Sequence, residues 1–352
     1  MRPDGSERRN ITNTPEANES YPLFSRDGMR LLYRRLKRDE TIDGNRYGEQ
    51  GVFLVIGGVR RNVDGVNIGA LTSASLEALS SAQVVALATH QVRALSTDQL
   101  AALTSDQLAA LTTLQIASLD NVVEALSSSQ LSKLSNVQLA GMTTTQVSAL
   151  TTDQSAGLSA SQLSNLATSK IAALSTDVVA GLSSTQLRAL TTAQVAGLTT
   201  GQAAALTTGQ VTQMTTTQIA AMETADLNAF APDTIKELTL GQLAALTSSQ
   251  LTNLNSDLIA ALTTTQMVSL SGSQLNKLTT SQVGSLTTDQ VSALTTTQVS
   301  KLTSDFIHSM STDAVVALSS DQLGILTPTQ IGGFTSDQLT ALDNESLLGF
   351  LQ

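Results

Sequence analysis

The chain has 352 residues, 3% of them aromatic, with no tryptophan and no cysteine. That composition excludes an ordinary aromatic-rich core, disulfides, thiol catalysis and thiolate metal sites. A net charge of −10 and a pI of about 4.6 argue against nucleic acid and anionic membranes as partners.

Residues 1–20 are polar, hold two prolines and show no periodicity, which predicts a disordered tail. They lack the apolar stretch of a secretory signal, and nowhere in the chain do 18 apolar residues run together to span a membrane. Asn10-Ile11-Thr12 matches a glycosylation sequon, a pattern of little specificity.

Residues 21–69 read as a separate small unit. Asp27–Glu40 predicts a helix, with Leu31, Leu32 and Leu36 apolar and Arg30, Arg34, Arg35, Lys37 and Arg38 basic. Those bases suit either an anionic partner or a solvated face, and the compensating acids nearby favour the solvated face. Val52–Ile56 predicts a buried strand, turning at Gly57-Gly58 into a second strand over Val59–Val63. The Lys-Ser/Thr of a phosphate loop is missing there. A unit this small has little core of its own, so its expected role is to cap the first repeat.

From Leu71 a large apolar residue returns every eight positions: Leu71, Leu79, Leu87, Leu95, Leu103, Leu111 and Leu119. After one seven-residue step the period resumes at Leu126 and holds to Phe350. Numbering each octad from that residue, position 2 is usually Ser or Thr and position 5 usually Gln, as in Leu286-Thr287-Thr288-Asp289-Gln290-Val291-Ser292-Ala293. Ser/Thr-x-x-Gln is a capping box, in which hydroxyl and amide satisfy free N–H groups of a helix start. Asp at position 4 (Asp98, Asp106, Asp153, Asp289, Asp337) suits the positive end of the helix dipole. Pro232 and Pro328 both fall at position 3, the first helical residue, where the missing N–H costs nothing.

One continuous helix is excluded, because eight residues overshoot two turns by roughly 80° and the apolar positions 1 and 6 would spiral. A regular strand is excluded because positions 1 and 6 have opposite parity. The prediction is an all-α solenoid of very short two-turn helices over 70–352, one per octad, behind a small α+β cap at 21–69. Small residues at position 8 (Ala102, Gly157, Ser269) are expected to let neighbouring backbones approach. The short octad at Leu119 predicts a kink. Phe230 reads as a larger plug in the same core slot.

No reactive constellation is visible. His90 and His308 stand far apart, and the recurring Asp is never clustered as in a calcium loop. Catalytic, cofactor-binding and metal residues are therefore all expected to be none, and the chain is expected not to be an enzyme. Paired threonines (Thr143-Thr144, Thr199-Thr200, Thr263-Thr264, Thr287-Thr288) suggest ladders like those of ice-binding solenoids, against which the first Thr is already used as a cap.

The repeat Leu-Thr-Thr-x-Gln-Val-x-Ala, spanning Leu71 to Phe350, resembles octapeptide arrays of large, acidic, Thr-rich, adhesin-like proteins of Gram-negative bacteria. That resemblance implies a structural scaffold or spacer, secreted or at the cell surface without an N-terminal signal peptide, with a cytoplasmic location as the alternative. The expected partner is a protein or a cell surface. The alternative function is a solenoid that binds a protein or peptide in its groove, and an ice-binding surface is a third. Leu347, Leu348, Phe350 and Leu351 crowd the C-terminal end, so a monomer or a weak dimer through that end is expected.

Overall fold

The structure is a computed structural model, and it describes residues 17–24, 30–37, 40–42, 45–47, 50–56, 59–62, 68 and 71–342. Contacts divide the chain into two compact units, residues 1–165 and 166–352. The expected C-terminal dimer surface, the sequon and Gly57-Gly58 lie outside the described residues.

The first unit begins with strands. β1 (Ala17–Phe24), β2 (Arg30–Lys37), β5 (Gln50–Ile56) and β6 (Val59–Asn62) form an antiparallel sheet in the order β1-β2-β5-β6. β3 (Glu40–Ile42) and β4 (Asn45–Tyr47) pair as a separate hairpin. β5 and β6 are the strands expected, joined where Ile56 faces Val59. The helix expected over Asp27–Glu40 is instead strand β2. It pairs along its length with β5, Leu32 opposite Leu54 and Tyr33 opposite Phe53. The β-branched run of β5 needs a partner on both edges, and long-range pairing overrides a local pattern that fits a helix equally well. β1 starts at Ala17, inside the stretch expected to be a tail.

From Ser73 to Ala341 the described residues hold 33 α-helices of four to six residues, one per octad, in both units. With its two cap residues each spans about two turns. Helices this short are unstable alone, so their stability comes from packing. Each starts where the sequence places it. Thr287, for example, is an extended N-cap (φ −75°, ψ 157°) whose side chain accepts from the Gln290 N–H. The next cap residue is extended again, and that turns the chain away. Pro232 and Pro328 begin their helices at the first position.

Positions 1 and 6 form the core; Leu286 is 4% exposed and Val291 is 0%. Phe230 is buried in a position-1 slot, as expected. At position 8 backbones approach closely: a Cβ added to Gly333 would lie 2.6 Å from the Ser304 carbonyl oxygen, 29 residues earlier. The seven-residue octad does not interrupt this packing. Asp120–Ala125 winds as a 3-10 helix, which climbs more per residue than an α-helix and so spans the gap with one residue fewer.

Candidate functional site

The most distinctive polar feature of the repeat is internal. All but one of the position-5 glutamines are buried, with Gln290 2% exposed and Gln274 the half-buried exception. One end of each completes the capping box, as where the Thr287 N–H donates to Gln290 Oε1 at 3.0 Å. In most of them the other end reaches across the coil; Gln83 Nε2, near the start of the array, has no hydrogen-bond partner. Gln290 Nε2 donates to the carbonyls of Leu262 at 2.7 Å and Ile259 at 2.9 Å, 28 and 31 residues earlier. In the first unit Gln154 does the same to Leu126 and Val123. The Leu262 carbonyl lies at the open end of its helix, and the Ile259 carbonyl also accepts the Leu262 N–H at 3.2 Å, so one amide serves a helix start and a helix end together. Cross-coil bonds step 25, 28 and 31 residues and helices three octads apart pack together, so a coil turn takes between three and four octads. Across the short octad the step is 27, from Gln130 to Leu103 and from Gln138 to Leu111.

Some octads lack the glutamine, and two of them show a substitute. Position 5 is Leu258 in one and Phe306 in the other. The Asn255 N–H then donates to Asn228 Oδ1 at 2.7 Å, and the Thr303 N–H to Asn276 Oδ1 at 3.0 Å. Each asparagine's Nδ2 donates to the adjoining carbonyl, Asn253 at 2.9 Å and Lys301 at 2.8 Å. Asn255, which stands at the N-cap, makes no side-chain cap bond. Sequence reading missed these asparagines. The available signal was Asn at position 7 thirty residues before a missing Gln.

Two ionisable residues occupy glutamine positions. Burial lowers the Lys170 ammonium from its ordinary value. Burial raises the Asp226 carboxyl; Glu223 adds to the rise, and a hydrogen bond from the Thr200 side chain opposes it.

The outer surface is plain by comparison. Threonine pairs such as Thr263-Thr264 and Thr287-Thr288 are exposed, the first of each serving as the cap. His90 and His308 are exposed and belong to different units. Among the described residues no three His, Asp or Glu side chains come together as a metal site, and no helix is long and apolar enough to cross a membrane. A shallow open groove in the second unit is lined by Lys236, Asp257, Thr263, Thr287 and Asp289. Two apolar side chains stand out in the first unit: Leu114, 72% exposed, and Val137, 68% exposed. Both sit at position 4, and their helices, Thr113–Ala117 and Asn136–Gly141, pack on each other.

The model of the ALTTAQ repeat family matches residues 67–97, 84–121, 123–160, 179–216, 219–256 and 272–304, together more than half of the chain. The chain belongs to the ALTTAQ repeat family. The six letters stand in full at Ala189-Leu190-Thr191-Thr192-Ala193-Gln194, where the cap Thr191 and the buried Gln194 take the roles just described. ALTTAQ thus spells position 8 through position 5: close approach, core, cap, helix start and cross-coil amide. No curated protein matches the chain.

Proposed function

We propose that this ALTTAQ repeat chain is a non-enzymatic structural scaffold or spacer, part of a secreted or surface-exposed adhesin-like bacterial protein. The observation that carries this reading is the use of the repeat's polar chemistry within the fold. Hydroxyls cap helices, buried amides staple the coil, and the exposed positions 3, 4 and 7 are mostly Ser, Thr, Ala and Asp. Such a surface solvates the coil, and among the described residues it brings no metal-ligating cluster together. The acidic repeats fit a protein or cell-surface partner better than nucleic acid.

A second reading, a protein-binding module, is favoured at one place, where Leu114 and Val137 expose apolar surface on neighbouring helices. Immunolabelling of intact producing cells against the full chain tests the main reading. Label without permeabilisation is expected, whereas label only after permeabilisation contradicts the surface assignment. Capture of one defined protein by the purified chain, lost in Leu114→Ser/Val137→Ser, favours the second reading instead.

A further inference from the structure

Asp226 stands at position 5 of the octad beginning at Met222, where most octads supply an amide donor. Its side chain is 2% exposed, and Oδ2 has no hydrogen-bond partner. The neighbouring glutamines define what the slot expects. Gln218 Nε2 donates to Leu190 and Leu187, and Gln242 Nε2 to Met214 and Val211, in each case 28 and 31 residues back. The same steps from Asp226 lead to the carbonyls of Leu198 and Val195. Aspartate lacks the N–H and is one methylene shorter. Ionised, it brings only acceptors to a slot that elsewhere holds a donor, and an ion buried without a counter-charge is costly. Protonated, it recovers one O–H donor.

Among the described residues no positive charge packs on this helix, although a hydrogen bond from the Thr200 side chain favours the anion and opposes the effect of burial. Glu223, on the same turn, makes no cap bond and repels a second negative charge. The helices packed on this one, Thr200–Ala205 and Ser248–Asn253, carry no ionisable side chain. In the next helix Lys236 is paired with Asp233 at 2.9 Å.

We propose that the slot holds Asp226 as the neutral acid, and that its ionisation loosens helix Thr224–Leu227 from the coil, making this octad a pH-sensitive joint in the array. The rise in the carboxyl's folded-state value, caused first by burial, agrees with this geometry. A carboxyl raised on folding contributes stability that is full below its unfolded value and is lost as pH climbs through the folded value.

Hydrogen exchange of the full chain between pH 4 and pH 8 tests the joint, comparing wild type with Asp226→Asn and Asp226→Gln. Rates are corrected for intrinsic pH dependence, and the readout is the protection of the amides of residues 224–227. Wild-type protection there is expected to fall tenfold or more relative to Asp226→Asn as pH rises, while the octads around Gln290 show no such difference. Asp226→Gln, able to reach Leu198 and Val195, is expected to be the best protected at neutral pH. Parallel pH profiles for wild type and Asp226→Asn overturn the proposal. So does an Asp226→Gln chain less protected than wild type at pH 8, because the slot then has no need of a donor.

Discussion

Gln290 has two roles on one side chain, and only one was legible in the sequence. The capping box is local: its partner, Thr287, is three residues away and belongs to a known pattern. The amide's other partners, Leu262 and Ile259, lie 28 and 31 residues away, a distance set by how octads stack. The octad alone fixes no number of octads per coil turn, so the cross-coil bonds could not be read from it. Three substitutions separate these roles. Thr287→Ala removes a cap and is expected to cost about 1 kcal/mol. Gln290→Leu leaves the Leu262 carbonyl and the Thr287 N–H without their side-chain partner and is expected to cost about 1–3 kcal/mol. Leu286→Ala empties a core slot at about 2–5 kcal/mol. Local hydrogen exchange around residues 286–294 reads all three. A Leu286→Ala effect no larger than that of Thr287→Ala contradicts the assignment of position 1 to the core.

At the scale of the element, a four- to six-residue helix persists only because its start is capped, its end is stapled and its apolar side is covered. Helix starts were legible because four kinds of residue agree on them: the hydroxyl at position 2, Pro at position 3, Asp at position 4 and Gln at position 5. Strand β2 was not legible, because Leu31, Leu32 and Leu36 suit a helix face while Leu32 and Leu36 also share one face of a strand. Pairing with β5 decides between them, and pairing is non-local. The seven-residue octad was visible as a missing residue, but its 3-10 winding was not.

The asparagine substitutes give a prediction at this same scale. Asn276→Ala removes the acceptor for the Thr303 N–H and the donor to the Lys301 carbonyl, and is expected to destabilise by about 1 kcal/mol. In a Phe306→Gln background that cost is expected to shrink, because a glutamine at position 5 can accept from the Thr303 N–H directly. A double-mutant cycle in urea measures the coupling. Strict additivity contradicts the view that asparagine and glutamine satisfy the same group.

Across the whole molecule the octad is the unit of exchange. Each is tied to others about 28 residues away, and stability sums over neighbours as in other solenoids. Deleting one full octad, Thr199–Leu206, keeps every cap and core position in phase. The shortened chain is expected to keep the same helical ellipticity per residue. Deleting four residues, Thr199–Gln202, sets core positions against solvent-facing ones, and a clear loss of helical signal is expected there. Equal spectra from the two deletions contradict the octad as the structural unit.

The central claim is that buried glutamine amides hold successive coil turns together. Side-chain amide exchange in an NMR spectrum of the full chain tests it most directly, because the chain carries its own control. Gln213 falls at position 8 with its side chain exposed, whereas Gln210, in the same helix, donates to Leu182 at 2.8 Å and Val179 at 2.9 Å. The Gln210 side-chain NH2 is predicted to be protected about as long as the backbone amides of its helix, and the Gln213 NH2 to exchange at the rate of a free amide. Equal, fast exchange of both contradicts the account.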